Sequence, residues 1–95
     1  MADNKKPEEG IPVDFPESLR GGSYANSMVV HHTKEEFFLD FIVVAPPAGS
    51  LVARVILSPG HIKRVVAALQ ENIAKYERKF GAIQAAEEPD RHFMM

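Results

Sequence analysis

The sequence contains no cysteine. That absence removes disulfides, thiolate catalysis and sulfur-rich zinc sites together. It also suits a reducing cytoplasm, the expected location. Long apolar runs are missing too: none reaches the roughly 18 residues from which a membrane-spanning helix is read. Met1-Ala2-Asp3-Asn4-Lys5-Lys6 opens the chain without an apolar segment, so no secretory leader is expected. A basic excess is lacking, since the formal net charge is −2. Nonspecific nucleic-acid binding rests on phosphate neutralisation, so a weakly acidic chain is a poor candidate for it. There is no tandem repeat and no long single-residue tract.

What remains is a chain of 95 residues, enough for one domain. Residues 1–22 are rich in Pro, Gly, Asp, Lys and Glu, and 84–95 are short and mostly polar. Neither stretch has a period that buries a face, so both read as flexible tails. The fold is therefore expected within 23–83. A domain that small often draws on disulfides, metals or oligomerisation for stability.

Three strands and one helix follow from the patterning. Residues 23–33 are rich in β-branched and aromatic side chains, with no helical stripe. Lys34-Glu35-Glu36 reads as a hairpin turn. Residues 37–45 form the strongest strand: Phe37, Leu39, Phe41 and Val43 point to one face, and Phe38, Ile42 and Val44 to the other, with Asp40 among them. A strand apolar on both faces is usually covered on both. Pro46 and Pro47 stop pairing, because neither can donate to a ladder. Residues 51–57 make a third strand, and the short linkers favour an antiparallel meander.

The helix over 59–80 has start and stop signals. Ser58 suits the N-cap, and Pro59 suits the first helical position. Gly81 suits a left-handed C-terminal cap. Lys75, Arg78 and Lys79 complement the macrodipole near its end. Ile62, Val66, Leu69, Ile73, Tyr76 and Phe80 step by four, three, four, three and four, close to a heptad stripe. Such a helix extends about 33 Å, whereas three strands span only about 14 Å across at their usual spacing. One helix can cover one sheet face and still project beyond it. Nothing remains to cover Phe38, Ile42 and Val44, and leaving such side chains in water forfeits about 1.5–3 kcal/mol each. The expectation is an α+β, two-layer, dimeric domain. Its interface candidates are Phe38, Ile42 and Val44 on the sheet and Leu69, Ile73, Tyr76 and Phe80 on the helix.

The polar candidates have ordinary readings. His31 and His32 are adjacent in a strand, so they point to opposite faces and do not readily share a metal. His61 lies in the first helical turn, where a charged imidazolium is disfavoured. No nucleophile stands near it, because Ser58 serves as the cap. Asp40, alone within an apolar strand, needs a partner, and Arg54 is the obvious one. Asn72 borders the apolar stripe, where a polar residue can select how helices pair. No phosphate loop, metal set, nucleophile–base pair or cofactor motif is present, so neither enzyme activity nor a cofactor is expected.

Several segments together resemble a known family. Tyr24-Ala25-Asn26, Glu36-Phe37 with Leu39-Asp40-Phe41, Arg54-Val55-Ile56 with Ser58-Pro59 and His61, and Leu69, Glu71-Asn72-Ile73, Tyr76-Glu77 and Phe80-Gly81 are similar to the "domain of unknown function 3467" family of small bacterial and archaeal proteins. The resemblance spans 23–83. It implies a compact strand-strand-strand-helix domain and no activity, and it marks Asn26, Asp40, Arg54, His61 and Asn72 as its polar signature. The expected role is a self-associating, non-enzymatic interaction module. An alternative is a chaperone-like or adaptor protein, similar in outline to SecB, binding apolar peptide segments. A nucleic-acid-associated regulator is disfavoured, because Glu71 and Glu77 dilute Lys63, Arg64, Lys75, Arg78 and Lys79 on the helix.

Overall fold

A computed structural model of the chain describes residues 10–87. The element order is β1 (Ser27–His32), β2 (Phe37–Ala45), β3 (Ala48–Leu57) and α1 (Pro59–Phe80), preceded by one 3-10 turn at Glu17–Leu19. The three strands form one antiparallel sheet in the order β1-β2-β3. The meander followed by one long helix is the architecture that the patterning predicts. The tails expected at 1–22 and 84–95 fall partly outside the described residues. Within them, the 3-10 turn is a short element that periodicity does not reveal.

The turns have local causes. Thr33 Oγ1 accepts from the Glu35 and Glu36 N–H groups, and the Thr33 N–H donates to the Glu36 carbonyl. This Thr side chain therefore takes over backbone bonding at the β1–β2 reversal. β1 is shorter than the expected 23–33, beginning only at Ser27. The reason lies in Asn26. Its Nδ2 donates to the Val44 carbonyl at 3.1 Å, and its Oδ1 accepts from the Val44 N–H at 2.8 Å. A side-chain amide thus pairs with the backbone of β2 where a further strand residue would stand. β3 is longer than the expected 51–57 and starts at Ala48, because Ala45 and Ala48 pair directly around the two prolines. Between Phe41 and Ile42 the register slips: Phe41 faces Ala53 and Ile42 faces Leu51, so Val52 is the extra residue of a β-bulge.

The helix boundaries match the signals. Ser58 is extended, and its Oγ accepts from the His61 N–H at 3.2 Å. Pro59 occupies the first position. At the far end the Gly81 N–H donates to the Glu77 carbonyl at 3.0 Å, with Gly81 at φ 98° and ψ 169°. That is a correction to the expected left-handed cap: φ is positive, but ψ is extended, a region open essentially to glycine alone.

The core is small. Leu39 and Ile42 are its buried apolar side chains among the described residues, joined by Asp40 at 1 % exposure. No described residue of α1 is buried. The radius of gyration is 16.8 Å, against about 13 Å for a compact domain of this length. No helix is long and apolar enough to cross a membrane among the described residues.

Candidate functional site

Register assigns the sheet faces, because directly opposed residues in an antiparallel pair lie on the same side. Met28 faces Phe41, Val30 faces Leu39, and Leu39 faces Val55. This is the helix side. There Met28, Val30, Phe37, Leu39 and Phe41 form one wall of an open cleft, and Ile62, Val65, Val66 and Leu69 from the first half of α1 form the other. The cleft holds about 760 Å³. Ser27 is the one polar residue that lines it, and its Oγ is buried with no hydrogen-bond partner among the described residues. Helix and sheet face each other here without closing. Leu69 remains 59 % exposed.

The apolar surface continues past the cleft. Ile73, Tyr76 and Phe80 extend the stripe along α1 and remain 47–65 % exposed. Tyr76 and Phe80 touch each other at 4.9 Å between ring centroids. Beyond the helix, Ile83 is held close by its N–H, which donates to the Glu77 carboxylate at 2.9 Å. The structure thus brings Leu69, Ile73, Tyr76 and Phe80 into one uncovered surface.

The opposite sheet face differs from expectation. Phe38, Ile42 and Val44 were expected to lie bare on it, yet Ile42 is only 4 % exposed, and Phe38 and Val44 are half-buried. Part of the reason is a polar cluster built around Phe38. Asp40 and Arg54 are direct cross-strand partners. Arg54 Nε donates to Asp40 Oδ1 at 2.6 Å and Nη2 to Oδ2 at 2.7 Å, a two-point clamp on a buried carboxylate. The Arg54 guanidinium lies 5.9 Å from the Phe38 ring centre. His31 stacks on the other side of this arrangement, 5.0 Å from Phe38 and nearly parallel to it, with Nε2 3.4 Å from Asp40 Oδ2. Hydrogen bonding from Arg54 holds the Asp40 carboxyl below its ordinary range against the opposing effect of desolvation, and Asp40 in turn raises the Arg54 guanidinium.

The remaining signature residues sit apart from one another. Asn26 ends β1, as described. His61 is exposed in the first turn of α1 and contributes its backbone N–H to the Ser58 cap. Asn72 is exposed, and its Nδ2 donates to the Ala68 carbonyl at 3.2 Å. His32 stacks on Phe37 at 5.1 Å. Sequence reasoning anticipates the Asp40–Arg54 pair but misses the third member, His31. The register supplies the signal: once the two strands are paired, His31 falls opposite Phe38, one place along the face from Asp40. Sequence reasoning places Phe37, Leu39 and Phe41 on the helix-facing side but misses the part of the cleft wall that β1 supplies, because the alternation of Met28 and Val30 is short.

The sequence pattern of the family described as "Protein of unknown function (DUF3467)" matches residues 1–85, so the chain belongs to that family. The match begins well before β1 and includes the segment of the 3-10 turn. No curated protein and no solved structure shows significant similarity to the chain.

Proposed function

We propose that this DUF3467 member is a self-associating, non-enzymatic interaction module whose working surface is the cleft and the helix stripe that continues it. The observation that carries the reading is that α1 buries none of its residues although it presents an apolar stripe along its whole length. The chain exposes 8466 Å², whereas a compact folded chain of 10.5 kDa exposes about 5,400 Å². The walls of the cleft and the exposed stripe of α1 contribute to that surface. Large contiguous apolar patches mark interaction sites.

The polar groups also support binding rather than catalysis. Asp40 is clamped by Arg54, Asn26 pairs with the Val44 backbone, and Ser58 caps α1. Each is engaged in holding the fold. The occupant of the cleft is a second copy, because the stripe that needs covering and the cleft that needs filling belong to the same chain and are continuous. Sedimentation or light scattering at micromolar concentration tests this. A dimer or higher species is the expected result. A stable folded monomer across that range overturns it, and a folded monomer that captures an apolar peptide would establish the adaptor role in its place.

A further inference from the structure

Resting on the self-association proposed above, we infer that two copies pair through antiparallel α1 helices. The twofold axis passes at Glu71, and the second half of each helix lies in the partner's cleft. The spacing of the stripe carries the inference. Ile62 and Phe80 are equidistant from position 71, as are Val66 and Tyr76, and Leu69 and Ile73. Laid antiparallel about that point, each residue of the first half meets a residue of the second half of the other chain, with no stripe residue left over. Ile62, Val66 and Leu69 are also the stripe residues that line the cleft. The partner's Phe80, Tyr76 and Ile73 therefore arrive where the helix and sheet stand apart.

The flanks agree. In this register Lys63 lies beside Glu77 of the other helix on one flank, an opposite-charge pair made twice by symmetry. The carboxylate of Glu77 uses Oε2 to accept from Ile83, which leaves Oε1 for the incoming ammonium. On the other flank Asn72 meets its own symmetry mate. Its Nδ2 uses one hydrogen toward Ala68, which leaves a second donor and the Oδ1 acceptor for a reciprocal amide pair. A polar residue on a helix seam fixes register in this way. A parallel arrangement would place Phe80 against Phe80 and Tyr76 against Tyr76 and leave both clefts empty. Its flanking contacts would be Val65 with Gln70 and Asn72 with Glu77, none of them of opposite charge.

The absence of cysteine makes the test clean. Asn72→Cys places two thiols across the axis, and both Asn72 and Phe80 are exposed in the single chain, so neither change disturbs a buried contact within it. Each variant is first shown to sediment as a dimer, because both side chains belong to the proposed interface. Phe80→Cys places its thiols about 27 Å apart along the antiparallel helices, but side by side in the parallel arrangement. Under mild oxidation, Asn72→Cys is expected to run as a covalent dimer and Phe80→Cys to remain unlinked. The reverse pattern, or linkage of neither in a sample that sediments as a dimer, overturns the register while leaving self-association standing. Monomers in both variants and in the parent chain overturn both readings. A second measurement does not depend on thiols. Lys63→Glu or Glu77→Lys alone is expected to weaken dimerisation about threefold to tenfold at low salt. The double reversal restores it, and a double reversal no better than the singles counts against the register.

Discussion

Replacing Ile73 with Ala separates a residue that serves the partner from one that serves its own chain. Ile73 is 47 % exposed in the single chain. Full burial of such a side chain is worth about 1.5–3 kcal/mol, so the half still open to solvent represents about 1 kcal/mol per copy. A symmetric dimer loses that contribution twice, about 2 kcal/mol, which corresponds to roughly thirtyfold in dissociation constant. A cavity that fails to collapse would push the loss toward a hundredfold, about 2.7 kcal/mol. The helix itself does not suffer, since Ala is the better helix former by a few tenths of a kcal/mol. The assay is sedimentation equilibrium across a concentration series, with thermal melts of parent and variant at a dilution where both are dissociated. The expected outcome is a dissociation constant raised about thirtyfold, with a dilute melting temperature lowered by only a few degrees, since the half of Ile73 covered by its own chain is worth about 1 kcal/mol and Ala propensity offsets part of it. A constant within twofold of the parent refutes the reasoning, because Ile73 would then serve its own chain alone.

Three further outcomes concern the fold that holds this surface in place. Asn26→Ala removes two hydrogen bonds to the Val44 backbone. At about 0.5–1.5 kcal/mol each, urea denaturation should report a loss of about 1–3 kcal/mol. Ser58→Ala removes the cap that His61 N–H uses and should cost about 1 kcal/mol, with Ser58→Asp recovering most of it. The Asp40 carboxyl, held by Arg54 below its ordinary value of 3.8, contributes stability that is present above that value and is lost as pH falls through the lowered one. In Arg54→Met the desolvation of Asp40 is no longer opposed by that clamp. The variant should be destabilised most at neutral pH, and its deficit relative to the parent should shrink on acidification. Parallel pH profiles of the two proteins would contradict the assignment.

Much of this fold is legible in the sequence because its signals are local. Ser58, Pro59 and Gly81 bound α1 to the residue, and the prolines at 46 and 47 bound β2. The Asp40–Arg54 pair is legible too, because a carboxylate inside an apolar strand demands a cation and only one stands in the next strand. The ends of β1 and β3 are not. Both depend on what the opposite strand offers: Asn26 keeps one backbone bond, to the Ile42 carbonyl, and meets Val44 with its side chain, and Ala48 extends a ladder only because Ala45 lies across the turn. Nor is the shelter of Ile42 legible, since alternation assigns a face without saying how its neighbours close over it. The open cleft is a tertiary fact of the same kind. The sequence says that α1 has an apolar stripe, but only the standoff between helix and sheet shows which part of the stripe goes unmet.

The width of that stripe argues that the standoff is a designed feature of the chain. A helix that covers its own sheet carries a broad apolar face, three to four positions in every two turns, whereas a helix paired with another helix carries a narrow seam of two per heptad. In α1 both occur in succession. From Ile62 to Leu69 the face includes Val65 as well as Val66, and these residues line the cleft opposite the sheet. From Ile73 to Phe80 the flanking positions are charged or small, and only Ile73, Tyr76 and Phe80 hold the seam. The pattern narrows where the lining of the cleft stops, after Leu69. A helix whose second half served no partner would have no reason to keep three large apolar side chains in strict register with the first half. Solvent-facing turns in that stretch would be expected to carry the charges seen at Lys75, Arg78 and Lys79 all the way round.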